Sequence, residues 1–110
     1  MLTVKSKIYF VSQAVTPLVS AVQGDNGRSF LFTVADWTFP TGATAEYHIR
    51  QPSGTASSGS ATIEENKIQV DLSSDDTAEV GDNFGQIRVT ADGLTVTSYD
   101  FILSVEKFRG

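Results

Sequence analysis

His48 is the only histidine of the chain, and its side chain is the one best suited to acid–base chemistry near neutral pH. The alternation of residues around it places His48 on one face of a strand, together with Glu46 and Arg50. A general base needs a nucleophile within hydrogen-bond distance, and the sequence has no Gly-x-Ser-x-Gly element or similar context to supply one. We therefore expect a solvated strand histidine and no catalytic residue.

A group of acidic residues in the second half of the chain could supply oxygen ligands to Ca²⁺, which takes about six to eight of them. The group comprises Asp71, Asp75, Asp76, Glu79 and Asp82. Its spacing does not match the D-x-[DN]-x-[DN]-G loop. Asp75 and Asp76 are explained by the start of a short helical turn, where acidic side chains favour the helix dipole. The sequence therefore predicts no metal site and no cofactor.

Four aromatic residues are candidates for contact with a partner protein: Tyr9, Phe10, Trp37 and Phe39. Trp37 and Phe39 flank a loop at the end of a predicted strand, and exposed aromatic side chains often anchor protein interfaces. Two other interpretations stay open for these two rings. They either cap the open end of the fold, or they form with Tyr47 the stacking platform of a carbohydrate-binding module.

The composition excludes several classes of protein. The chain has 110 residues with 8 Lys and Arg against 13 Asp and Glu, and this net charge of −5 argues against a nucleic-acid binder, which needs clustered basic residues. The absence of cysteine excludes disulfides and thiolate zinc sites. Polar residues and Pro17 interrupt the longest uncharged stretch, Ile8–Gly24, so we expect neither a signal peptide nor a membrane span.

Short blocks of alternating apolar and polar residues, separated by turn residues, predict an all-β chain. The predicted strands are Arg28–Ala35, Ala43–Arg50, Ala61–Ile63, Lys67–Leu72, Phe84–Ala91, and a strand from Leu94 to Val105 that bends between Thr97 and Asp100. Asp92-Gly93 has the composition of a type I′ hairpin turn. The small, polar stretch Gly54–Ser60 predicts a surface loop, and Ser73–Gly81 predicts one short helical turn.

Together these elements predict an immunoglobulin-like β-sandwich of six to eight antiparallel strands with one short helical turn. We expect a single domain, residues 1–110, in which residues 24–108 form the sandwich. Residues 1–23 are a distinct N-terminal segment with predicted strands at Val4–Val11 and Leu18–Gln23. This segment either pairs at the edge of its own sheet or extends to the sheet of a partner.

Three turn sequences carry a resemblance to a known family. Gln23–Gly27 opens a strand, Thr41–Arg50 begins the next with Thr-Gly-Ala, and Gln51–Gly54 closes it. This order resembles the N-terminal domain of bacteriophage baseplate upper proteins, which have a Gln-Gly-Asp turn, a Thr-Gly-Ala start and a Lys-Pro-Asp-Gly-like turn at these places. Gln51 and Ser53 depart from the last of these turns. The similarity covers roughly residues 20–106 and concerns turns rather than chemistry.

The resemblance implies a non-enzymatic virion protein that docks by protein–protein contacts in a symmetric assembly. The expected location is the virion, assembled in the host cytoplasm. The expected partners are other virion proteins, of the tail hub or the capsid, and further copies of the chain, with no nucleic acid and no membrane.

Within the virion, the resemblance is compatible with baseplate or tail attachment, with the base of a head fibre and with capsid decoration. If the chain is complete at Gly110, the lack of a following fibre segment favours a decoration or adaptor role over a platform for receptor-binding arms. The alternative function is a carbohydrate-binding or adhesion module on the particle or on a cell surface.

Overall fold

Strands form along this chain because apolar and polar side chains alternate, so that one face of each strand is buried and the other meets solvent. The computed structural model describes all 110 residues and contains strands but no helix. The strands are β1 (Leu2–Ile8), β2 (Leu18–Val22), β3 (Arg28–Val34), β4 (Thr44–Arg50), β5 (Ala56–Glu64), β6 (Lys67–Asp71), β7 (Gly81–Ala91), β8 (Leu94–Thr97) and β9 (Phe101–Glu106). The prediction of an all-β chain is confirmed. The structure has no helix of the length and apolarity needed to cross a membrane.

The strands form two layers that share β5. The first layer has the order β1-β3-β6-β5, and the second has the order β5-β4-β7-β9-β2, with β8 paired to β7. β5 bends from one layer to the other, because residues 56–61 pair with β4 and residues 62–64 pair with β6. The end strands β1 and β2 contact each other. The sheet is therefore nearly closed around its core.

The N-terminal segment contributes one strand to each layer. β1 pairs with β3 and β2 pairs with β9, both in parallel register. Residues 9–17, which we call the crossover, carry the chain from the first layer to the second. The prediction of antiparallel strands throughout is wrong at these two pairs. Parallel pairing is possible because each partner strand is reached through a long connection rather than a tight hairpin.

A single cluster of 17 buried apolar side chains forms the core between the layers. Three fully buried phenylalanines connect the two layers: the ring centroid of Phe32 is 5.9 Å from that of Phe30 and 4.8 Å from that of Phe101. The Phe101 ring covers the backbone of Gly85 on the neighbouring strand β7. A Cβ atom at Gly85 would overlap this ring, so the core requires glycine at this position.

The number of strands is nine rather than six to eight, because the strand predicted from Leu94 to Val105 is divided into β8 and β9.

The prediction of a surface loop at Gly54–Ser60 is wrong for residues 56–60, which lengthen the strand predicted at Ala61–Ile63. β5 begins at Ala56, inside the stretch Gly54–Ser60. Its small residues pair with β4, and the Tyr47 ring lies so close to Gly59 that an added Cβ would come within 2.6–2.9 Å of it. Backbone pairing and this close approach hold the segment in the sheet, although it has no apolar residue larger than alanine.

The prediction of a short helical turn at Ser73–Gly81 is also wrong. This segment forms turns and a bend. The side chain of Asp76 is buried and accepts hydrogen bonds from the backbone N–H and the hydroxyl of Ser73, at 2.8 and 3.1 Å. A helix that begins here would leave the side chain of Asp76 in solvent. Because Asp76 is instead buried, the backbone of this segment does not form that helix.

The two predictions at the β7–β8 hairpin are confirmed. Asp92 and Gly93 both have positive φ angles, of 52° and 76°, as a type I′ turn requires. The return strand is interrupted after Thr97 and resumes at Phe101 as β9. Ser98 lies in the break and exchanges hydrogen bonds with the backbone of Ile87. The inward face of the return strand thereby changes from even to odd residue numbers.

Candidate functional site

Phe10, Trp37 and Phe39 pack together at one end of the fold, and we call these three residues the aromatic cluster. The ring centroid of Trp37 is 5.0 Å from that of Phe10 and 5.3 Å from that of Phe39. Phe10 is buried, and the other two rings are partly buried against the core. Of the arrangements that the sequence left open, the structure contains the one in which Trp37 and Phe39 cap the fold.

Tyr9, the fourth predicted contact residue, is half-buried and lies outside the aromatic cluster. Its carbonyl accepts a hydrogen bond from the backbone N–H of Tyr99 at 2.9 Å. The hydroxyl of Tyr99 in turn donates to the carbonyl of Val11 at 3.2 Å. Tyr9 therefore helps to attach the crossover to the chain that leads into β9.

The rings of the aromatic cluster do not form a flat platform. The planes of Trp37 and Phe39 meet at 79°, and those of Phe10 and Phe39 meet at 88°. Tyr47 is only 4% exposed, and its hydroxyl donates to the buried carboxylate of Asp76 at 2.6 Å. This geometry suits packing against protein side chains better than stacking on a sugar, which needs coplanar rings.

A groove of about 200 Å³ opens beside the aromatic cluster, and we call it the Trp37 groove. Its lining residues are Trp37, Pro40, Val89, Ala91, Asp92, Leu94 and Val96. The pairs Val89–Val96 and Ala91–Leu94 lie on the face of the β7–β8 hairpin that points toward the core. Along this face the exposed fraction rises from 2% at Val89 to 75% at Leu94. The core-facing side of the hairpin therefore continues into an open, apolar groove.

The outer edge of β8 is a third feature of the same end of the fold. β8 pairs only with β7, so the backbone groups along its other edge have no strand partner. Leu94–Thr97 contains no charge and no proline, the features that usually protect an edge strand from pairing with another chain.

A second apolar surface lies on the outer face of the second layer. Leu18 on β2, Ile102 on β9 and Phe84 on β7 are direct cross-strand neighbours, and we call them the apolar row. Leu18 is 62% exposed and Phe84 is 49% exposed. Arg50 on β4 continues the row in register. Contiguous exposed apolar side chains are typical of a surface that binds another protein.

Sequence reasoning did not single out the apolar row, nor Leu94 and Val96 of the Trp37 groove. Each of these residues occupies an ordinary alternating strand position. The unusual feature is that Leu18, Phe84 and Ile102 occupy the outward positions of three different strands. Apolar residues at outward positions are a detectable signal, but only the strand register shows that they are adjacent.

His48 and the acidic group are arranged separately from these surfaces. Nε2 of His48 is 3.1 Å from a carboxylate oxygen of Glu46 on the exposed face of β4. Glu79 accepts hydrogen bonds from the backbone N–H and hydroxyl of Ser53, at 2.8 and 2.6 Å. Asp76 is buried against Tyr47, and no three potential metal-ligating side chains converge in the structure.

The carboxylate of Asp36 holds the start of the crossover. It accepts hydrogen bonds from the backbone N–H groups of Phe10, Val11 and Ser12, at 3.1, 2.9 and 3.4 Å. Burial raises the pKa of Asp36, but these hydrogen bonds lower it by more, so that its pKa lies below the ordinary value for aspartate. Asp36 thereby fixes Phe10 in the aromatic cluster.

Replacing Asp36 with alanine is expected to lower the free energy of unfolding by about 1–2 kcal/mol at neutral pH, because three N–H groups lose a charged acceptor. A lowered carboxylate pKa stabilises the fold above the unfolded pKa of about 3.9, and this stabilisation is lost as the pH falls through the lower folded pKa. Urea denaturation of the wild type and of D36A should therefore differ at neutral pH, and the difference should shrink in acid. Asp100→Ala, which removes an exposed carboxylate, is the control. A difference that does not depend on pH would contradict this account.

No protein-family model matches the chain, and no curated protein matches it in sequence. Its function must therefore be inferred from the surfaces described above and from the resemblance of its turn sequences.

Proposed function

We propose that the chain is a non-enzymatic structural module of a bacteriophage virion, which docks by protein–protein contacts in a symmetric assembly. It is an immunoglobulin-like domain that attaches to other virion proteins, either at the tail and baseplate or on the head as a fibre base or decoration. It assembles in the host cytoplasm and acts in the particle.

The strand order supports the immunoglobulin-like assignment. In that fold, strands B, E and D belong to one sheet and strands C, F and G belong to the other. When β3 to β7 are lettered B to F and β9 is lettered G, β3, β6 and β5 adjoin in the first layer, and β4, β7 and β9 adjoin in the second. The bend of β5 between the layers and the parallel pairing of β1 with β3 depart from this pattern.

The apolar row is the observation that carries the docking role. An acidic domain gains solubility from its charge, yet this one exposes Leu18, Ile102 and Phe84 side by side on a regular sheet face. A sheet face with an exposed aromatic side chain beside aliphatic ones fits the composition of a protein interface. Arg50 beside it supplies one polar contact that can fix the orientation of a partner. Symmetric copies would add avidity to a contact that is weak in a single copy.

Immunogold labelling of purified particles with an antibody against the domain tests the proposed location. Label at the tail tip would support the baseplate role, and label over the head would support a fibre base or decoration. Absence of label, with the epitope shown to be accessible, would contradict the proposal and favour the adhesion alternative, which glycan screening then tests.

The apolar row gives a variant that tests the docking mechanism. Phe84→Ser is expected to change the free energy of unfolding by less than about 1 kcal/mol, because Phe84 is 49% exposed. It should nevertheless reduce incorporation into particles, measured by quantitative immunoblotting of purified virions. His48→Ser, on the same exposed sheet face, is the matched control and should incorporate normally. Equal incorporation of both variants would show that the apolar row does not dock.

A further inference from the structure

The Trp37 groove has the properties of a site for one aromatic side chain flanked by positive charge. Its walls are apolar, and Asp92 is the one charged residue that lines it. Asp92 lies at the tip of the β7–β8 hairpin, at the rim of the groove. A ligand that fills the groove with an apolar ring and brings a cation to this rim would satisfy both features.

The chain itself carries such a segment directly after β9. Lys107, Phe108 and Arg109 place an aromatic ring between two cations, and Phe108 is 64% exposed. We call these three residues the KFR segment. In the structure it lies outside the sheet and forms no strand. An exposed phenylalanine between two positive charges complements an apolar groove with an acidic rim in both polarity and charge.

The KFR segment cannot reach the Trp37 groove of its own chain. In the second layer Val105 lies beside Gly81, at the first residue of β7, whereas the groove lies beside Ala91, at the last. Ten residue steps along a strand span roughly 33 Å. Phe108 lies two residues beyond Glu106, a reach of about 7 Å. The donor and the acceptor therefore stand at opposite ends of the molecule, and their contact must join two copies.

We propose that copies of this chain associate head to tail, with Phe108 of one copy in the Trp37 groove of the next and with Lys107 and Arg109 beside Asp92. Each copy then carries one donor and one acceptor. Such a contact is heterologous, so it generates a ring where the rotation between copies closes and an open filament where it does not. The inference deepens the symmetric assembly proposed above, but it is tested on the purified chain without particles.

Trp37 is the only tryptophan of the chain, so its fluorescence reports directly on the occupancy of the groove. A synthetic peptide of residues Ser104–Gly110 is expected to shift the Trp37 emission to shorter wavelength in a saturable titration. The same peptide with Phe108→Ser should bind about ten-fold more weakly or not at all, because the apolar ring is lost. Added salt should weaken binding of the native peptide. A native peptide that leaves the emission unchanged would overturn the proposal.

Two variants of the full chain test the head-to-tail geometry. Leu94→Lys blocks the groove and repels the KFR segment, and Phe108→Ser removes the donor ring; both residues are exposed, so both variants should fold. Analytical ultracentrifugation should show concentration-dependent association of the wild type and loss of association in each variant. An equimolar mixture of the two should form one-to-one pairs, since only one intact donor and one intact acceptor remain. Val15→Lys, a control whose residue is as exposed as Leu94 at 75%, should associate like the wild type.

The unpaired edge of β8 offers a competing contact that these measurements separate. If two copies paired through their β8 edges, the contact would be two-fold symmetric, and Phe108→Ser would leave association unchanged. That result, or a failure of the two variants to complement each other, would overturn the head-to-tail proposal. It would leave the immunogold test of the virion location unaffected.

Discussion

Gly85→Ala is expected to lower the free energy of unfolding by about 2–3 kcal/mol, because it forces an extra methyl group into a packed core. The new Cβ would overlap the ring of Phe101, which is fully buried between the layers. The ring also packs against Phe32 at a centroid distance of 4.8 Å, so a shift that accommodates the methyl group disturbs the packing of the core. Denaturation by urea or heat, followed by circular dichroism, measures the effect.

Two further variants separate this overlap from the general effect of replacing a glycine. Gly27→Ala is the matched control, since a Cβ at Gly27 meets no atom within 4 Å, and it should leave stability unchanged or raise it by up to about 1 kcal/mol. Phe101→Leu makes room above Gly85. The double variant should therefore be more stable than the sum of the two single effects predicts. Additive effects would show that Phe101 is not the cause.

Asp76→Ala is expected to destabilise the fold by about 2–5 kcal/mol, the largest effect of any polar substitution proposed for this chain. The Asp76 carboxylate accepts hydrogen bonds from the Tyr47 hydroxyl at 2.6 Å and from Ser73. Tyr47 and Asp76 are both buried, so the substitution leaves the Tyr47 hydroxyl in the interior without this acceptor. The backbone N–H of Ser73, an exposed residue, loses its acceptor as well. Asp75→Ala changes the exposed neighbour and should have little effect.

The pKa of the Tyr47 hydroxyl provides a second test of the buried pair that Tyr47 forms with Asp76. Burial and the adjacent Asp76 carboxylate raise the pKa of Tyr47 well above the ordinary tyrosine value of about 10. The resulting stabilisation is fully present below about pH 10 and is lost as the pH rises toward the folded pKa. In a titration followed by phenolate absorbance, one tyrosine should therefore ionise only when the chain unfolds. Tyr47→Phe should abolish that step and lower stability by about 1–3 kcal/mol. A titration of Tyr47 near pH 10 in the folded chain would contradict the burial of this pair.

The strands that could be predicted from the sequence are those whose own side chains determine their pairing. β3 and β7 have clear alternation, and Asp92-Gly93 can adopt the two positive φ angles of its turn without help from the rest of the fold. The start of β5 could not be predicted, because its small residues contain no such pattern. That segment is held by partners distant in sequence, β4 and the ring of Tyr47.

The segment Ser73–Gly81 shows why a local signal can fail. A serine cap with acids in the first turn favours a helix when those acids are solvated. Here Asp76 instead binds Tyr47, which is 29 residues away in sequence. The hydrogen bond to the buried hydroxyl of Tyr47 outweighs the local preference for a helix. Because Tyr47 lies outside the nine residues of this segment, their sequence does not reveal the bond.

The candidate surfaces were only partly predictable for a related reason. Trp37 and Phe39 could be singled out because the sequence places two aromatic residues beside a loop at the end of a strand. Leu94 and Val96, in contrast, look like any core-facing positions of a strand. Their exposure depends on how far the opposite layer extends over the β7–β8 hairpin, which is a property of the assembled fold.

The parallel pairing of β2 with β9 also determines when the domain can fold during synthesis. Leu18 pairs with Ile102, so β2, which is synthesised early, cannot pair until β9 has been synthesised. At about 5–20 residues per second, the roughly 80 intervening residues take about 4–16 s to leave the ribosome. Until β9 emerges, β2 has no partner in the second layer and half of β7 has an open edge. The nascent chain therefore cannot complete the second layer until β9 has left the ribosome exit tunnel.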